Sequence, residues 1–119
     1  MPQLHLGTCH CGAVHFKVDA DITSGVICDC SICIRKSAIM ALIDHQSFSL
    51  ISGEEDLSSY QFNSFQAIHY FCRHCGIYTH HKRRSGEGIA INTACLDGFH
   101  KDQLTDITYF EGSKLSLVK

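Results

Sequence analysis

The sequence predicts a mainly β fold braced by metal, on three observations. Apolar and polar residues alternate at period two along much of the chain, helical periodicity is weak throughout, and eight cysteines gather in tight groups. A chain of 119 residues with 45% hydrophobic content has the size and composition of one globular domain over 1–119, with a core small enough for metal crosslinks to matter.

Taken in order, Val14, Phe16 and Val18 alternate with His15, Lys17 and Asp19, the signature of a half-buried strand. Residues 38–43 (AIMALI) form a continuous apolar run that reads as a fully buried strand. Phe48 and Leu50 alternate with serines toward a turn at Ser52-Gly53. The stretches 58–62, 67–72, 77–81, 89–93 and 106–110 have the β-branched and aromatic content of further strands. Short helical turns are expected through 32–36 and around 54–57 and 100–104. The expected architecture is a set of short antiparallel strands with metal-binding corners.

The cysteines fall as C-x-C at 9 and 11, C-x-C-x-x-C at 28, 30 and 33, C-x-x-C at 72 and 75, and a single Cys95. Such spacing groups thiols in turns, the arrangement of metal ligands in a reducing compartment rather than of a disulfide framework. All-thiolate ligation selects zinc or an iron–sulfur cluster over magnesium or calcium. The segments HCGAVHFKV (10–18) and HCGIYTHHK (74–82) echo one another: each runs His-Cys-Gly into an alternating strand. Two matching knuckles point to one structural zinc held by Cys9, Cys11, Cys72 and Cys75, with every position of the metal filled.

Cys28, Cys30 and Cys33 then make a second site with three thiolates. Its fourth position is either open to water or substrate, which is the logic of a catalytic zinc, or closed by the protein. The candidates for closure are Cys95, a histidine such as His69, His80 or His81, and a carboxylate such as Asp29 or Asp97. The two zincs per chain would therefore be one structural and one of catalytic type.

A net charge of −2 gives no reason to expect nucleic acid as a partner. No apolar run has the roughly 18 residues of a membrane span, and the start of the sequence lacks the pattern of a secretory signal, so a cytoplasmic location is expected.

With these residues in hand, the chain resembles the glutathione-dependent formaldehyde-activating enzyme family, also called the centromere protein V-like family. The resemblance rests on C-x-C-G (Cys9 to Gly12), C-x-C-x-x-C (Cys28 to Cys33), F-C-x-x-C-G (Phe71 to Gly76) and the segment GIAINTACLD (88–97). It implies an Mss4-like tent of small antiparallel sheets. It also implies a structural zinc shared by the first and last motifs, and a second zinc on Cys28, Cys30 and Cys33 that serves catalysis. The implied reaction joins glutathione to formaldehyde, a carbon–sulfur lyase activity with a small thiol and an aldehyde as partners. Glutathione carries carboxylates, so Arg35, Lys36, Arg83 and Arg84 are candidate substrate contacts, together with Asn92 and Thr93 as hydrogen-bond donors. The competing readings are a binding module with two closed structural zincs and a redox or metal-buffering protein.

Overall fold

The computed structural model describes residues 3–62, 65–83 and 88–110. Among them run ten strands: β1 (Leu4–Thr8), β2 (His15–Asp19), β3 (Ser24–Cys28), β4 (Met40–Ile43), β5 (Phe48–Ser52), β6 (Leu57–Tyr60), β7 (Ile68–Cys72), β8 (Tyr78–Lys82), β9 (Ile89–Asn92) and β10 (Asp106–Phe110). One turn of α-helix, α1 (Cys33–Lys36), follows the central cysteine motif, and 3₁₀ turns stand at Glu54–Asp56 and Lys101–Gln103 where helical turns are expected. Two further 3₁₀ turns, His45–Ser47 and Thr93–Cys95, carry no helical signal in the sequence.

The strands form two sheets, a three-stranded one in the order β1-β2-β5 and a seven-stranded one in the order β10-β3-β4-β9-β8-β7-β6. The mainly β, small-sheet architecture is therefore the one the alternation predicts. One pairing departs from it. β10 runs parallel to β3, with Asp106 opposite Ser24 and Phe110 opposite Cys28. A parallel partner needs a crossover rather than a hairpin, and here everything between residues 28 and 106 forms that connection.

The core lies between the sheets. Phe16 and Val18 from β2 meet Ala41 and Ile43 from β4, Ile89 and Ile91 from β9, and Leu96. β2 follows its sequence pattern, with Phe16 and Val18 buried and His15, Lys17 and Asp19 exposed. β4 is shorter than the apolar run 38–43, and Leu42 is 45% exposed, because the far face of the strand borders a cavity instead of the core.

β1 inverts the usual rule: Leu4 and Leu6 face outward while His5 and Gly7 are buried. The reason is the register with β2, which sets Gly7 opposite Phe16. The Phe16 ring occupies the space a side chain at residue 7 would need; a Cβ there would lie 2.3 Å from Cζ. Leu6 and Gly7 also tie β1 to the segment that follows β9, through the bond from the Asp97 N–H to the Leu6 carbonyl and a bridge from Gly7 to Leu96.

Candidate metal centres and the cavity between them

The two echoing knuckles are built alike. In each, the N–H of the first cysteine donates to the carbonyl five residues on, Cys9 to Val14 at 3.1 Å and Cys72 to Ile77 at 3.0 Å. Each then turns through a glycine in the left-handed region, Gly12 at φ 84° and Gly76 at φ 79°, a conformation that costs a residue with a Cβ more. The knuckles meet so that the sulfurs of Cys9, Cys11, Cys72 and Cys75 all lie within 4.8 Å of one another.

The Cys9–Cys11 and Cys11–Cys72 sulfur separations are 3.7 and 3.6 Å. These are far too long for a disulfide, and all eight cysteines are free thiols. They match the edge of about 3.8 Å of a tetrahedron with zinc–sulfur bonds of about 2.3 Å. The donor set fits zinc. Burial opposes ionisation of Cys75, yet the backbone N–H groups led by that of Ile77 outweigh it and bring the thiol down to about 6. The balance also runs below the ordinary value at Cys9, where the Val14 N–H donates to the sulfur at 3.3 Å.

The sulfurs of Cys28, Cys30 and Cys33 form the second group, again within 4.8 Å of one another. Cys28 ends β3, a loop carries Cys30, and Cys33 opens α1. The Cys30 N–H points at the Cys28 sulfur and the Cys33 N–H at the Cys30 sulfur, both at 3.4 Å. A hydrogen bond from the Cys33 thiol is the main reason Cys30 falls to about 5, and the same bond pushes Cys33 well above the ordinary thiol range. Three convergent sulfurs with N–H donors to two of them suit a soft cation such as zinc.

Among the described residues, no fourth cysteine, histidine or carboxylate joins this trio. Cys95 belongs to neither group. It is buried in the main core, its S–H directed at the Tyr78 carbonyl at 3.5 Å, and burial pushes its thiol up to about 11. Its place in the core makes it a small apolar side chain rather than a ligand. Asp29 and Asp97 contribute no oxygen to the trio either.

What the trio does border is a cavity of about 550 Å³ on the face of the large sheet opposite the core. The register explains its walls, since residues directly opposite on neighbouring strands share a face. Thr108, Val26 and Met40 are successive partners across β10, β3 and β4; Leu42, Ala90, His81 and His69 are successive partners across β4, β9, β8 and β7. All seven line the cavity, with Cys28, Cys30 and Cys33 at its edge.

A β-bulge adds one more group to this face. Tyr70 pairs with His80 but Phe71 pairs with Tyr78, so Thr79 is the extra residue and Tyr78 turns to the side of Phe71 and His69. Its hydroxyl meets His81 Nδ1. Lys36, three residues beyond Cys33 on α1, reaches the same place: its Nζ is 2.7 Å from His69 Nδ1 and 3.4 Å from the centre of the Tyr78 ring. Burial lowers the Lys36 amine to about 8, against the pull of the nearby thiolates. Burial first, then the neighbouring His69 and Lys36, bring His81 down to about 3, so its imidazole is neutral.

The other basic and polar candidates stand as follows. Arg83 lines the cavity. Arg35 is exposed on α1 with its guanidinium donating to the Ser31 carbonyl at 2.6 Å, and it does not line the cavity. Arg84 lies outside the described residues. Asn92 is on the cavity face opposite Met40, but both ends of its amide are occupied: Nδ2 donates to the Tyr78 carbonyl at 2.8 Å and Oδ1 accepts from the Ala94 N–H at 3.1 Å. Thr93 is bonded to the Ile39 carbonyl at 2.8 Å. Both are braces. Sequence reasoning passes over Tyr78, whose only local signal is its place in an alternating strand.

Comparison with known proteins places this geometry. The family model described as glutathione-dependent formaldehyde-activating enzyme matches residues 4–111. The chain belongs to this family. It is also similar to a crystal structure of a Rhodobacter sphaeroides protein, with 41% sequence identity and a TM-score of 0.79 over 87% of this chain and 98% of that one. The family match spans both cysteine groups and every strand that lines the cavity.

Proposed function

We propose that the chain is a zinc-dependent carbon–sulfur lyase acting on adducts of formaldehyde with glutathione or another small thiol. The observation that carries this reading is the three-sulfur group, joined by no fourth donor among the described residues and bordering a cavity large enough for a small molecule. Zinc on Cys28, Cys30 and Cys33 supplies an electrophilic centre that lowers the pKa of an incoming thiol. Cys9, Cys11, Cys72 and Cys75 hold the structural ion, which joins segments some sixty residues apart and contributes stability only in the folded state.

The chain's own groups do the rest. Adduct formation moves a proton from a thiol to a developing hydroxyl, and cleavage returns it. We assign that transfer to His69, which lines the cavity. The Lys36 ammonium donates to its Nδ1, which puts the ring proton on Nε2. As Nε2–H is given to the developing alkoxide, Lys36 passes a proton to Nδ1 and the thiol's proton restores the Lys36 ammonium, the same steps running backward in cleavage. Neutral His81 and the Tyr78 hydroxyl form a second polar pair on the same face. The Arg83 guanidinium offers a planar fork to a substrate carboxylate.

Protein carrying two zincs is expected to accelerate formation and breakdown of the glutathione–formaldehyde adduct over the uncatalysed rate. Cys33→Ser is expected to bind one zinc, keep its fold and lose the acceleration. Retention of two zincs by Cys33→Ser, or wild-type rates no faster than background, would sink the proposal.

A further inference from the structure

The cavity has an apolar wall on one side and its charged and imidazole groups on the other. On the β10–β3–β4 side the lining is Phe110, Val26, Met40 and Leu42, with Thr108 among them; on the β8–β7 side stand Arg83, His81 and His69, with Phe62, Gln66 and Ala67 from the segment ahead of β7. The cysteine trio, from the end of β3 to the start of α1, lines the same cavity. A thiol such as glutathione is charged at several positions, and placing a charge against the apolar half without a partner is costly. Its carboxylates belong with Arg83. Formaldehyde has no carbon chain to cover the apolar half.

We infer that the site takes adducts of a polar thiol with aldehydes larger than formaldehyde, the aldehyde's apolar chain lying against Val26, Met40, Leu42 and Phe110. The inference rests on the lyase reading above and specifies its substrate class. In the reaction the thiol sulfur's electron pair forms a bond to the carbonyl carbon, and the carbonyl π pair moves to oxygen. That oxygen takes up the proton the thiol gave, leaving a hydroxyl on the sulfur-bearing carbon. The reverse step breaks the carbon–sulfur bond and restores thiol and aldehyde. No oxidant or reductant is needed in either direction.

Two stable thioethers, S-methylglutathione and S-hexylglutathione, probe the apolar half without turnover. Calorimetric titration of the zinc-loaded protein is expected to show about fourfold tighter binding for each methylene that leaves water. Leu42→Glu, at a half-exposed wall position, is expected to erase the difference between the two thioethers. In parallel, adduct formation with glutathione is followed for hexanal and for formaldehyde, with hexanal expected to show the larger acceleration over its own background. Acceleration with formaldehyde alone, together with equal binding of the two thioethers, overturns the inference and leaves the lyase reading standing. Acceleration with neither aldehyde overturns both, whatever the thioethers do.

Discussion

Replacing Asn92 with alanine removes two hydrogen bonds at once, the one from Nδ2 to the Tyr78 carbonyl at 2.8 Å and the one from the Ala94 N–H to Oδ1 at 3.1 Å. Asn92 is itself buried, so water does not readily replace the lost partners. Each bond is worth about 1 kcal/mol net, but removing one partner of a buried pair costs instead the desolvation penalty of the group left behind, about 1–3 kcal/mol. The 3.5 Å bond from the Cys95 thiol to the Tyr78 carbonyl is weak and does not replace the lost one, so the Ala94 N–H and the Tyr78 carbonyl both contribute to the penalty. With two groups left behind, the expected loss is about 2–6 kcal/mol, read as a lower denaturant midpoint with an unchanged slope. Because Tyr78 carries the ring under Lys36, the turnover number is expected to fall as well, with little change in KM. The comparison variant Asn92→Asp keeps the acceptor for Ala94 but sets a carboxylate against the Tyr78 carbonyl, and it is expected to be no better. A stability change below about 0.5 kcal/mol, with the effect confined to KM, would refute the bracing argument and return Asn92 to the substrate.

Two other perturbations test the packing. His80 is buried between Tyr70 and Phe48, with ring centres 4.7 and 4.6 Å away, and burial lowers its pKa to about 4 from an ordinary 6.5. The unfolded chain therefore binds the extra proton first: stability is full above about pH 6.5 and declines toward pH 4, by about 3 kcal/mol for this group. Subtracting the pH profile of His80→Phe from that of the wild type isolates the effect from acid release of metal, and superimposable profiles would rule it out. Gly7→Ala would place a Cβ 2.3–2.8 Å from three carbons of the fully buried Phe16 ring, so a loss of about 1–3 kcal/mol is expected in urea unfolding. An unchanged midpoint would mean that the ring has room to move.

The sequence by itself determined what depends on near neighbours in the chain. Period-two alternation marked β2 and β5, a continuous apolar run marked β4, and β-branched and aromatic content marked β6 to β10. The short 3₁₀ turns at 54–56 and 101–103 fell where helical turns were expected. The cysteine spacings and the His-Cys-Gly echo marked both metal groups, because a knuckle is a local turn whose glycine and N–H geometry are set within six residues. Register and face were another matter. β1 was illegible because its apolar residues point outward and a glycine is buried under a ring nine residues on. β3 went unmarked beside the cysteine motif it ends in, and its parallel partner arrives from 82 positions away. The bulge at Thr79 turned Tyr78 away from the side that strict alternation assigns it. Cys95 and Asn92, adjacent to a suggestive motif, were drawn into the core and into a brace by contacts with Tyr78. Lys36 came to His69 from 33 residues away. Ligand sets within a turn are written in spacing, whereas a cavity wall is written in cross-strand pairing, and only the assembled sheet fixes which side chains share that face.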